Sequence, residues 1–133
     1  MHIMATKTPA PKYIPGVCNI GQAEIAQRNR AGLVGLISTV ILWAGLVYLQ
    51  APHWLRFVVS IPAAIGAVGY IQASLHFCAD FGIKGVFNLD KEAGKTDTIQ
   101  QAEFRAQDRA KAFKIFLASL AVGLAVGFVA ATA

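Results

Sequence analysis

Three long stretches of the chain carry no charged side chain: residues 31–49, 57–79 and 115–133, of 19, 23 and 19 residues. At the rise of an α-helix, nineteen residues reach about 28 Å, close to the thickness of a bilayer's hydrocarbon core. The pattern predicts an all-α protein, a helical integral membrane protein with three transmembrane helices. These form one membrane domain over residues 19–133.

Polar positions set the punctuation. Residues 1–18 hold Lys7 and Lys12 among Pro9, Pro11, Pro15 and Gly16, and read as a flexible tail. The first apolar run is too long for the apolar part of a signal peptide and is followed by no small-x-small cleavage pattern. Asn19-Ile-Gly-Gln22 and Thr98-Ile-Gln-Gln101 each have the form of a capping box. Each would open a short helical extension leading into span one or span three. Glu24 and Arg28 stand four apart in the order that favours a helix. Between spans one and two, Pro52 marks a short turn flanked by Tyr48 and Trp54, as aromatic residues flank a membrane interface. Pro62 falls inside the second run, where it removes one backbone donor and predicts a kink. Residues 80–114 form the remaining loop, with an apolar side resting on the interface.

One short repeat stands out. Ile20-Gly-Gln-Ala-Glu-Ile25 aligns with Ile99-Gln-Gln-Ala-Glu-Phe104, and Arg30-Ala31 with Arg109-Ala110, all at an offset of 79. Duplication of a helix-leading element would explain it. So would convergence, because Ala, Gln, Glu and Arg suit any exposed helix start.

Composition agrees with the membrane reading. Hydrophobic residues make up 56%, charged residues 14%, and mean hydropathy is +0.52, whereas a soluble domain carries about 25% charged residues. The net charge is +5, but the basic residues sit at the borders of apolar runs, so no nucleic-acid partner is expected. Of the 12 Lys and Arg, only Arg56 lies between spans one and two. The positive-inside rule then predicts a multi-pass protein of the inner cell membrane, with the amino terminus cytoplasmic and the carboxyl terminus outside. Arg28, Arg30, Arg109, Lys111 and Lys114 are the expected contacts to lipid headgroups.

Candidate chemistry is sparse. Span three repeats a small residue every four positions, Ser119, Gly123, Gly127 and Ala131, and span one has a lesser row in Ala31, Gly35 and Thr39. Such rows let helix backbones approach closely in lipid. The partner could be another span, a second copy or another protein. Cys18, His76, Cys78 and Asp80 all fall near the cytoplasmic surface and could supply a metal or redox site. His76 and Cys78 would converge only if the helix unwound there. On the reducing side of the membrane a structural disulfide is not expected. His53 and His76 lie at opposite ends of span two, so one haem cannot use both. No cofactor is expected, although a pigment or haem shared with a partner subunit stays open.

The spans contain no Asp, Glu, Lys or Arg, the residues that mark ion paths. No nucleophile has a base, and no glycine loop follows a strand. The expectation is a non-enzymatic membrane subunit: a scaffold, assembly or accessory component whose partners are membrane lipid and other subunits or further copies of itself. The alternatives are a small transporter or channel protomer working as an oligomer, and a thiol or metal site at the cytoplasmic face.

Overall fold

In the computed structural model, which describes residues 12–133, the chain is mostly helical, with three helices long and apolar enough to cross a membrane. The first is α1 (Gln22–Tyr48). A short α2 (His53–Arg56) and one 3₁₀ turn (Phe57–Val59) lead into α3 (Ser60–Leu75). After α4 (Ala79–Lys84) comes a two-residue strand β1 (Val86–Phe87), paired antiparallel with β2 (Asp97–Thr98). The long α5 (Ala102–Thr132) completes the fold.

Local chemistry explains the boundaries. Pro62 lies in the first turn of α3, where its missing N–H is one the helix would leave unbonded anyway. The expected kink is thus a junction, with the 3₁₀ turn on one side and the α-helix on the other. α1 and α3 both stop on a left-handed residue, Gln50 and His76, each at φ 55°. Beyond each, an N–H reaches five residues back: Ala51 to Leu46 at 2.9 Å, Phe77 to Gln72 at 3.1 Å. This is the Schellman closure, made here without glycine. Neither expected capping box forms. The N-caps of α1 and α5 are Gly21 and Gln101, without side-chain bonds, and Thr98 lies in β2.

α3 packs against both α1 and α5. Glycines make the approach possible. A Cβ at Gly35 would sit 2.5 Å from the Gly66 Cα, and one at Gly69 would sit 2.5 Å from the Gly32 nitrogen. On the other side, a Cβ at Gly123 would meet the Ala64 Cβ at 2.6 Å. Outside these seams the three helices expose large apolar side chains, among them Val34, Ile41, Ile61, Phe113 and Val129.

The buried cores lie elsewhere, at one end of the helices. Phe77, Ala79, Ala112 and Ile115 form one cluster; Ile20, Cys78 and Phe81 form another. Around them α4, the β1–β2 ribbon and the segment before α1 build a cap on the first turns of α5. Residues 80–114 are therefore a folded cap, not a loop. The tail expected over residues 1–18 is described only from Lys12, residues 1–11 lying outside the described part. From Tyr13 it is a docked turn: the Tyr13 ring stacks on Phe87 at 5.0 Å, and its hydroxyl donates to Asp108 Oδ2 at 2.8 Å.

Candidate functional site

The cap is held by polar side chains that are almost wholly buried: Asn19, Glu24, Gln72, Asn88 and Asp108. Glu24, on the first turn of α1, is the hub. One carboxylate oxygen accepts from Arg28 Nη1 at 2.6 Å; the other accepts from Asn88 Nδ2 at 2.8 Å and from the Gly94 N–H at 2.6 Å. Buried charge is tolerated only when paired and fully bonded, and Glu24 has both. Asn88 in turn donates to the Glu92 carbonyl at 3.0 Å and is bridged to Ile20 through the backbone.

The chain leaving α3 is fixed by two amides. Asn19 accepts from the Cys78 N–H at 2.7 Å and donates to the Cys78 carbonyl at 3.1 Å. Gln72 Oε1 accepts from the Ala79 N–H at 2.7 Å. Because an N–H needs an acceptor, that contact fixes the Gln72 amide orientation and turns its Nε2 the other way, where it donates to no described residue. Asp108 accepts from Tyr13 and, at 2.7 Å, from the Gly16 N–H. Burial first, then the Asp108 hydrogen bond and charge, push the Tyr13 phenol well above its ordinary value.

The helix does unwind where convergence of His76 and Cys78 required it, but the four candidate ligands part company. Among the described residues no three of His, Cys, Asp and Glu come together. His76 is exposed, and Asp80 pairs with Lys84 at 2.8 Å. Cys78 is buried and its Sγ accepts from Arg28 Nη2 at 2.9 Å. Cys18 is half-buried with its Sγ 3.6 Å from the Ile20 carbonyl, and burial pushes its thiol up. Arg28, expected at headgroups, turns inward to Glu24 and over the Phe81 ring at 5.5 Å. Arg30, Arg109 and Lys114 are exposed and Lys111 is half-buried.

The small-residue rows are occupied within the chain. Gly123 and Gly127 abut Ser60, Ala64 and Phe57, and the Ser119 hydroxyl donates to the Ile115 carbonyl at 2.8 Å. Ala131 is half-buried, its carbonyl 2.8 Å from His53 Nδ1. On α1 the row is Gly32, Gly35 and Thr39, whose hydroxyl donates to the Gly35 carbonyl at 2.7 Å. Ala31 is exposed; the row begins one residue later, because Gly32 is the position that faces the Tyr70 ring.

Sequence reasoning missed the roles of Asn19, Glu24, Asn88 and Asp108. The Glu24–Arg28 pair expected at this spacing does form, at 2.6 Å, but Asn88 and Gly94, the other partners of Glu24, lie far along the chain. The two similar segments both bond to the stretch 85–88. Ile20 and Ile99 are both buried, and their flanks bond to one stretch: the Gly21 N–H donates to Asn88 and the Ile99 N–H to Gly85, at 2.9 and 2.8 Å. Their acidic positions diverge, Glu24 being buried and Glu103 exposed.

A recess of about 450 Å³ opens below the cap, lined at one end by Arg28, Gln72, Cys78 and Asp80 and at the other by Ile65, Val68 and Phe116. No family model, curated protein or solved structure matches this chain.

Proposed function

We propose that the protein is an integral membrane component, with the cap at the cytoplasmic face, that serves as a non-enzymatic accessory or assembly subunit of a larger membrane complex. Membrane insertion is supported by where the apolar surface lies. The two buried cores sit in the cap, while α1, α3 and α5 leave Val34, Ile41, Ile61, Phe113 and Val129 more than half exposed. In water that surface would form a large apolar patch; in lipid it is simply solvated. The cap carries Lys84, Lys91, Lys95, Arg105 and Arg109, as the positive-inside rule asks.

One observation supports the accessory reading over the conducting one: Thr39, Ser119 and Gln72, three polar side chains of the long helices, bond to backbone of this same chain. Thr39 and Ser119 each donate to a carbonyl one turn back, and Gln72 Oε1 holds the Ala79 N–H. A conducting path needs polar groups turned toward a shared lumen. Because the glycine rows are filled internally, partner contacts fall to the outer faces or to the cap.

Solubilisation in mild detergent, with identification of what co-migrates, tests the subunit reading. Stoichiometric co-migration of another membrane protein supports it. A lone protein that confers ion or solute flux on reconstituted vesicles overturns it in favour of the oligomeric transporter or channel. Orientation is read separately in intact cells: a cysteine placed at Gly94 should resist impermeant thiol reagents, and one at Gln50 should react.

A further inference from the structure

The recess below the cap has two unlike ends, and its polar end is incomplete. Gln72 is only 7% exposed, and its Nε2 faces away from Ala79 with no described acceptor. A buried donor without an acceptor is costly, so a group from outside the chain should meet it. The charges around it are already paired. Arg28 lies 2.6 Å from Glu24, and Asp80 lies 2.8 Å from Lys84. With Arg28 and Asp80, the charged residues that line the recess, both already paired, an anionic head would gain no unpaired cation among the described lining residues. An uncharged acceptor would meet only the waiting donor.

The other end is apolar and open sideways. Ile65 and Phe116 line it and are 57% and 42% exposed on the outer surface of the long helices. A ligand with an apolar tail can enter from that surface without passing the cap. The volume of about 450 Å³ lies within the range of small-molecule sites. Phe116 is an aromatic lining residue, the type of side chain against which a flat ring packs.

We propose that this recess binds the carbonyl head of an uncharged bilayer amphiphile, specifically an isoprenoid-type quinone. One ring carbonyl accepts from Gln72 Nε2, and the tail leaves past Ile65 and Phe116 into the lipid. Binding alone is assigned; no electron transfer is involved. The site stands whether or not the protein is a subunit of a larger complex.

The test uses the full chain in detergent micelles and a benzoquinone with a decyl tail, with saturable binding read by calorimetry and thermal melting. Ile65→Trp fills the apolar end from an exposed position and should abolish binding. Ile61→Trp, one turn away and outside the recess, should leave it unchanged. Gln72→Met should weaken binding about tenfold, the loss of a hydrogen bond in a buried setting. Diacylglycerol, an uncharged ester lipid, and phosphatidylglycerol, an anionic one, should not compete. No saturable quinone binding, binding undiminished in Ile65→Trp with its melting intact, or equal competition by either lipid would each overturn the assignment.

Discussion

The carboxamide of Asn19 clasps the backbone of Cys78 on both sides, accepting from its N–H at 2.7 Å and donating to its carbonyl at 3.1 Å. Both residues are at most 2% exposed, and 59 positions separate them. This one amide ties the chain entering α1 to the chain leaving α3. It supplies the acceptor that the Cys78 N–H lacks in the unwound segment after His76. It also adds a second donor to a carbonyl that already accepts the Gly82 N–H at 3.0 Å.

Removing the clasp should loosen the cap. Asn19→Ala leaves the buried Cys78 N–H unpaired, at a cost of about 1–3 kcal/mol if water does not rescue it, while the Cys78 carbonyl keeps the Gly82 N–H at 3.0 Å. Asn19→Asp keeps the acceptor but sets a buried, unpaired carboxylate against the Cys78 carbonyl, so it should cost at least as much as Asn19→Ala. Thermal melting in detergent gives the order. Faster modification of Cys78 by a thiol reagent in both variants reports the opening directly; equal protection would show that the cap does not depend on the clasp.

Tyr13 links the cap to pH. Its folded pKa is raised above the ordinary value of 10.0. A raised pKa means the stabilising contribution is fully present below pH 10 and is lost as the pH climbs beyond it. The melting temperature of the wild type should therefore fall more steeply above pH 10 than that of Tyr13→Phe. At neutral pH, Tyr13→Phe should cost about 1.5–3 kcal/mol, the range for a hydrogen bond to a charged group. Parallel pH profiles would remove Tyr13 from the account.

Glycine positions on α1 should split by what they face. Gly35→Ala puts a Cβ against the Gly66 backbone and should cost about 1–3 kcal/mol, because backbone must move. A Cβ at Gly45 meets nothing within 4 Å, so Gly45→Ala should stabilise by about 0.5–1 kcal/mol. The same logic applies to Gly123→Ile on α5. It should unfold the isolated protein, while a purely intermolecular row would leave the monomer's melting unchanged.

Gln50 holds a left-handed conformation without being glycine. Gln50→Gly should raise stability by about 1 kcal/mol, the strain a side chain bears there. Ala51 and Val47 keep their roles because only backbone is involved in the closure. A lower melting temperature would mean that the Gln50 side chain contributes something the backbone does not.

The sequence by itself determined the three apolar helices, because a run of nineteen or more uncharged residues leaves few other states. It also marked Gly35, Gly123 and Gly127 as places of close approach, since small residues at helical spacing have one obvious use. It could not say what they approach: the row on α5 meets Ser60 and Ala64, and the row on α1 meets Gly66, all on the central α3. Nor could it separate Ala31 from Gly32, because one residue turns a helix face by about 100°. The cap was hidden for a different reason. Glu24 and Asp108 are ordinary helix-start charges until residues 64 to 95 positions away bring them Asn88, Gly94, Tyr13 and Gly16. A local pattern records propensity, whereas the cap consists of hydrogen bonds between distant segments, and only the tertiary structure decides which buried polar groups meet.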